Sequence, residues 1–329
     1  MKALVYTAPN EVTYRDEAPP LRAAGDVLLR IDAVGICGSD LHAYHGRDPR
    51  RVPPLILGHE LAARVLEGPG AGRRVTVNPL ITCGHCEYCR QGRDNVCVNR
   101  TMIGMTRAGG FAELMTTAAA SVIDIPQDMS ARSAALTEPA ATALHAINLA
   151  MRALARPLAE GNALVLGGGA VGLLSALLLA SYGVRDVALA ETNPLRRASA
   201  ARAGALRAYD PATHTTPAAS VELVVDAVGA AITRNAALAA VKPGGVVMHI
   251  GLADWASEID MRKLTLAEVT LIGTYTYTTA DLRAAAAALH AGAFGDLGWV
   301  EERPLADGAA AFRDLHEGRS AAAKILLRP

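Results

Sequence analysis

The rhythm of hydrophobic and polar positions changes about halfway along the chain. Segments 1–6 and 26–34 run apolar or alternate with β-branched residues, and stretches with Pro, Asn, Glu and Gly separate them, which predicts strands. The short-strand texture continues through 61–79, and another β-like stretch opens at 109–113 and closes at 121–126. Two helical segments follow, 130–136 and 140–154; in the second, Leu144, Ile147 and Met151 fall at helix spacing. From Asn162 onward strand and helix alternate. Strands are predicted at 163–166, 187–190, 223–226, 246–250 and 271–273, helices at 173–182 and 231–241, and Lys242-Pro243-Gly244-Gly245 reads as a turn. Helices at 281–293 and 306–318 and a strand at 324–327 close the chain. Parallel strands joined by helices imply an α/β protein, with a doubly wound sheet following a mostly β first region. Positions 161–184 carry no charge over 24 residues, long enough for a bilayer span, but Gly167, Gly168, Gly169 and Gly172 divide them into strand, turn and helix.

A length of 329 residues favours two domains, because one core rarely grows past about 250–300 residues. Apolar residues make up 51% and charged ones 19%, so the chain is globular; with aromatics at only 4%, Ala, Val, Leu and Ile must build its core. Thirty-two Lys and Arg balance 32 Asp and Glu. That balance argues against nucleic acid or an anionic membrane as partner and for a small molecule. The start, MKALVYTAP, has neither the apolar run nor the cleavage site of a secretory signal, so a cytoplasmic location is expected.

Candidate chemistry falls in three places. Cys37, within GICGSDLH, stands apart from the other cysteines, and His59-Glu60 follows some twenty residues later. One thiolate, one imidazole and one carboxylate suggest an open zinc site, although a lone cysteine is more commonly a small buried apolar residue. Cys83, Cys86, Cys89 and Cys97 have the spacing C-x2-C-x2-C-x7-C. Four thiolates in a segment poor in apolar residues suit a tetrahedral structural zinc. An iron–sulfur cluster is the rival; its usual run places the fourth cysteine after three residues and a proline after that, where Val98 stands here. Gly167, Gly169, Ala170, Val171 and Gly172 complete a G-x-G-x-x-G turn between strand and helix, and Glu191 ends the next strand. Such a turn cradles a pyrophosphate, and the acid accepts ribose hydroxyls and repels a 2′-phosphate, which favours NAD over NADP. Arg196 and Arg197 keep NADP open.

With these motifs in order, the sequence resembles the zinc-containing medium-chain alcohol dehydrogenases over nearly its whole length, closest to their polyol and threonine dehydrogenase branch. The resemblance rests on GICGSDLH (35–42), GHE (58–60), the lobe CGHCEYCRQGRDNVC (83–97), TEP (137–139), LGGGAVG (166–172), Glu191 and KPGG (242–245). It implies a catalytic zinc on Cys37, His59 and Glu60, with Glu138 next to the metal, either exchanging with Glu60 or holding the zinc water. It also implies a proton relay through Ser39 and His42 and a structural zinc on the four cysteines. A GroES-like catalytic domain over 1–145 with its zinc lobe at 80–100, a Rossmann domain over 146–280 and a return over 281–329 are the implied organisation. The implied reaction is hydride transfer between a secondary alcohol on a polyol, sugar or amino alcohol and NAD, in a homodimer or homotetramer. Residues 61–75 depart from the family: the hairpin is short, with Ala63 at a usual glycine and Arg73 at a usual aspartate. A carbonyl reductase using NADPH, and a non-enzymatic zinc and NAD protein, are the alternative readings.

Overall fold

The apolar runs of the second half pair as six parallel strands, in the spatial order Arg207–Tyr209, Asp186–Ala190, Asn162–Leu166, Val221–Asp226, Val241–His249 and Thr270–Gly273. The computed structural model describes residues 1–204 and 206–329. Alternate residues of each strand serve opposite faces. Ala163 and Val165 pack with apolar residues of the helices Thr137–Ala153, Ala170–Ser181 and Thr279–His290, while Leu164 and Leu166 meet Ala237 and Leu238 of the helix Ala231–Ala240. Both faces are therefore covered, which is why these strands read as continuous apolar runs. Strand order reverses beside Asn162–Leu166, so a crevice opens there at the carboxyl ends of the strands.

The first half forms a sheet with the order Val122–Asp124, Arg74–Val77, Glu60–Glu67, Asp26–Gly35, Lys324–Arg328 and Val300–Pro304, and Leu114–Ala118 also pairs with Asp26–Gly35. Two of these strands come from the far end of the chain: Leu326 lies opposite Gly35 and Leu327 opposite Val34. All three phenylalanines, Phe111, Phe294 and Phe312, are buried, and the rest of the core is almost wholly aliphatic, as the composition requires.

Three expectations shift. Lys242 to Gly245 is not a turn between elements: Val241 already pairs with Val221, the ladder resumes at Val246 opposite Leu223, and the intervening residues bulge out with Gly244 at φ +71°. The helix after the glycine turn starts at Ala170 instead of Leu173. Strands Glu11–Asp16, Arg207–Tyr209 and Val300–Pro304 and the short helix Met261–Leu266 went unseen. The strands turn mostly polar residues outward and the helix has only six residues, so periodicity gives little signal. No helix among the described residues is long and apolar enough to cross a membrane.

Candidate active site

Sheet register assembles the first constellation. Gly35 lies opposite Glu60, so Cys37, two residues past one strand, comes to His59, one residue before the other. A sulfur of Cys37, a nitrogen of His59 and an oxygen of Glu60 lie within 4.8 Å of one another. Gly35 is required here, because a Cβ would collide with the Glu60 carboxylate. The segment after Cys37 is a helix, Gly38–Tyr44. Cys37 caps it: its Sγ accepts the Ser39 N–H at 3.5 Å, and the Asp40 carboxylate accepts the Cys37 N–H at 3.0 Å. Ser39 and His42 therefore share a helix face, three residues apart.

Four side chains that the sequence reading did not single out complete the surroundings. Asp40 is buried, with Oδ1 3.5 Å from His59 Nδ1, and neither of these atoms has a hydrogen-bond partner. Burial alone would lower the His59 pKa, but Asp40 and then Cys37 raise it well above the usual value. Buried Lys324 donates to Glu60 Oε1 at 2.7 Å, Glu60 Oε2 at 2.5 Å and the Ile36 carbonyl at 2.8 Å. Buried Arg51 donates to Ser39 Oγ at 3.1 Å, the Ser39 carbonyl at 2.9 Å and Asp48 at 2.8 Å. Tyr277, fully buried, donates to Glu138 Oε1 at 2.8 Å. Of the four, only Asp40 carried a signal, as the third residue after a capping cysteine.

Glu138 belongs to a helix. It is buried in the first turn of Thr137–Ala153, where Pro139 is tolerated because first-turn N–H groups have no partner within the helix. Burial pushes its pKa up to about 7, with His59 opposing the shift and Glu60 adding to it. The donor set of one sulfur, one nitrogen and one oxygen, with the second imidazole nitrogen directed at a carboxylate, fits zinc.

The four-cysteine cluster is also assembled, without disulfides. Sulfur separations are 3.5 Å for Cys86–Cys89, 3.6 Å for Cys97–Cys83 and 4.0 Å for Cys83–Cys89. Backbone N–H groups of His85 and Cys86 lower the Cys83 pKa to about 6, while burial, and then Cys86 and Cys97, push Cys89 up to about 12. Four sulfurs so close, two of them accepting backbone N–H groups at 3.4 Å, fit a tetrahedral cation.

At the nucleotide crevice Gly167 has φ +97°, and a Cβ on Gly172 would collide with the Gly167 carbonyl. Gly169 caps the helix Ala170–Ser181 with no side chain, so the first amide groups, including those of Ala170 and Val171, remain available to an anion. Glu191 is buried and already engaged: Oε2 accepts the Gly168 N–H at 2.9 Å, Oε1 accepts the Asn193 N–H at 2.7 Å, and Arg196 pairs with both oxygens at 3.2 and 3.1 Å. Arg197 pairs with Asp210 at 3.1 Å.

A dinucleotide crevice and a Cys/His/Glu cluster on one chain define a metal-dependent, dinucleotide-linked oxidoreductase. Residues 23–127 match the family model of the alcohol dehydrogenase GroES-like domain, and residues 170–291 match that of zinc-binding dehydrogenases. L-galactonate-5-dehydrogenase of Escherichia coli (strain K12) is 30% identical over 298 residues, 85% of each chain. An L-threonine 3-dehydrogenase of Mesorhizobium japonicum is 31% identical over 295 residues, 84% of this chain and 83% of the relative. Among solved structures, a zinc-binding dehydrogenase from Sinorhizobium meliloti 1021 bound to NADP superposes with a TM-score of 0.89 at 28% identity, over 100% of this chain and 99% of the other. The chain belongs to the zinc-containing medium-chain alcohol dehydrogenases, in their polyol and threonine dehydrogenase branch. It is a zinc-dependent oxidoreductase of alcohols linked to a nicotinamide dinucleotide.

Proposed function

We propose that this dehydrogenase oxidises a secondary alcohol on a small polyol, sugar acid or amino alcohol with NAD, using Cys37, His59 and Glu60 as ligands of the catalytic zinc. The observation that carries the reading is the convergence of those three ligand atoms within 4.8 Å, with Asp40 facing the free nitrogen of His59. Zinc held there would act as a Lewis acid that lowers the alcohol pKa, and the nicotinamide would accept the hydride. The chain's residues do the rest. Asp40 orients His59, Lys324 balances the charge of Glu60, and Glu138 supplies a second carboxylate held by Tyr277. Ser39 takes the alcohol proton and passes it toward His42 and water, while Arg51 holds the Ser39 hydroxyl. The Cys83, Cys86, Cys89 and Cys97 cluster holds the structural zinc. L-galactonate and L-threonine, named for two relatives, both carry a carboxylate as well as a secondary hydroxyl, which supports a carboxylate-bearing substrate.

NAD is the preferred dinucleotide because Glu191 faces the turn, and Arg196 and Arg197 already have carboxylate partners in Glu191 and Asp210. Among Glu191's donors, the side chains of Arg196 and Thr192 are the ones that ribose hydroxyls can displace without disturbing the backbone. Domain limits at 145/146 and 280/281 would fall inside the helices Thr137–Ala153 and Thr279–His290, so the passages between domains run through those helices, with Lys324 on the returning segment. Thr270–Gly273 is the last strand of the parallel sheet, and a second copy pairing there would form a homodimer. Cys37→Ser should lower kcat at least about a hundredfold while NADH affinity, read by fluorescence titration, stays within about twofold. Full activity in that variant contradicts the ligand assignment. A clear preference for NADP contradicts the role given to Glu191.

A further inference from the structure

The four-cysteine lobe also grips the segment that carries Tyr277. Just before Cys97, Asp94 accepts hydrogen bonds from the backbone N–H of Thr279, at 3.1 and 3.3 Å, and from the Thr279 hydroxyl. The next residue, buried Asn95, donates to the Tyr275 carbonyl at 2.9 Å. Arg100 holds the Cys97 carbonyl at 2.8 Å and lies 4.7 Å from the centre of the Tyr275 ring. Asn78 adds a bond to the Thr279 hydroxyl at 3.0 Å. Between these grips Thr276 takes φ +47°, a left-handed conformation that a β-branched residue keeps only when its surroundings enforce it. That bend aims Tyr277 into the interior, where its hydroxyl reaches Glu138 at 2.8 Å. On the far side, Asp281 of the helix that follows accepts from His145 Nδ1 at 2.7 Å and from Asn148 at 3.0 Å, so the segment is fixed from both directions.

We infer that Asp94 and Asn95 are positioning residues for the alcohol site: through Thr279 and Tyr275 they hold Tyr277, and through its hydroxyl they set the place of the Glu138 carboxylate. The lobe thus does more than close a polar loop around its own cation. It fixes one wall of the other metal site. This rests on the reading that Glu138 lies beside the catalytic zinc.

The test compares Asp94→Ala, Thr279→Val, Thr279→Ser, Tyr277→Phe and the Asp94→Ala/Tyr277→Phe double variant, all zinc-loaded and with lobe zinc content measured. Asp94→Ala and Thr279→Val should lower kcat about tenfold with KM for NAD within about twofold, and Thr279→Ser should restore it. The double variant should be no slower than Tyr277→Phe alone, since both changes break one chain of contacts. Independently of activity, the amides of 275–279 should exchange with deuterium faster in Asp94→Ala while the lobe retains its zinc. Faster exchange with unchanged kcat, or losses that multiply in the double variant, would overturn the inference. Glu138→Gln separates the two levels. Full turnover there, with Cys37→Ser inactive, removes this inference and leaves the zinc assignment standing; full turnover in Cys37→Ser removes the assignment itself.

Discussion

Lys324 shows how much a single residue decides in this site. It comes from a strand nearly three hundred positions after Cys37, is almost wholly buried, and gives two of its three hydrogen bonds to Glu60. Removing one partner of a buried pair leaves the other charge without compensation, at a cost of about 3–5 kcal/mol. Lys324→Met should therefore unfold at lower urea, and the deficit should shrink when zinc is present, because a cation on Glu60 replaces the lost ammonium. Equal deficits with and without zinc would argue against Glu60 as a ligand. Nothing in the sequence announces this lysine: it lies in a plain apolar strand, AKILLR, and its role follows only from the pairing of that strand with Asp26–Gly35. Cys37, His59, Glu60 and the four lobe cysteines were legible because metal chemistry demands particular residue types at close spacing. Tyr277 and Lys324 were not, since their partners are distant in sequence, and Arg51 was not, since nothing in its spacing from Ser39 marks the contact.

At the scale of elements, the helix Thr279–His290 gives a pH-dependent prediction. Thr278 caps it, and Asp281 completes the capping box and takes bonds from His145 and Asn148. Burial alone would raise the Asp281 pKa, but the hydrogen bonds of His145 and then Thr278 hold it far below the usual carboxylate range. A depressed folded-state pKa stabilises fully above the unfolded value of about 3.9, and the contribution is lost as pH falls toward the folded value. Asp281→Asn should then be less stable than the parent near neutral pH by about 1–3 kcal/mol, and the two urea midpoints should draw together below about pH 4. A constant gap down to pH 2 would show that the ionised carboxylate is not the stabilising group. The glycine turn gives the other element-scale test. Gly172→Ala places a Cβ against the Gly167 carbonyl and should weaken NADH binding at least about tenfold, read by fluorescence titration, because the turn must open. Unchanged affinity would show that the turn absorbs the methyl group. Both the strand before that turn and the helix after it were readable as apolar runs divided by the glycines. The helix Gly38–Tyr44 was not, because its seven residues are too few to show a hydrophobic period and its cap is a cysteine.

At the scale of the whole molecule, the alternation of strand and helix after Asn162 was sufficient to infer the doubly wound sheet, since strands buried on both faces leave long apolar runs. The first sheet was harder to read. One edge strand, Val300–Pro304, is polar and two of the sheet's strands arrive from residues 300–328, so no local window contains the pairing that brings Lys324 to Glu60. That closure matters for the proposed function, because a strand from the chain's last thirty residues supplies the counter-charge of Glu60 while the central half supplies the dinucleotide crevice. The measurement that tests this account most directly is NADH formation by zinc-replete enzyme on a panel of sugar acids, polyols, amino alcohols and simple secondary alcohols, with and without a chelator that strips zinc. Turnover on a secondary alcohol bearing a carboxylate, abolished by the chelator and restored by zinc, is the result the account predicts. Turnover that survives complete loss of zinc from the Cys37, His59 and Glu60 site would contradict it.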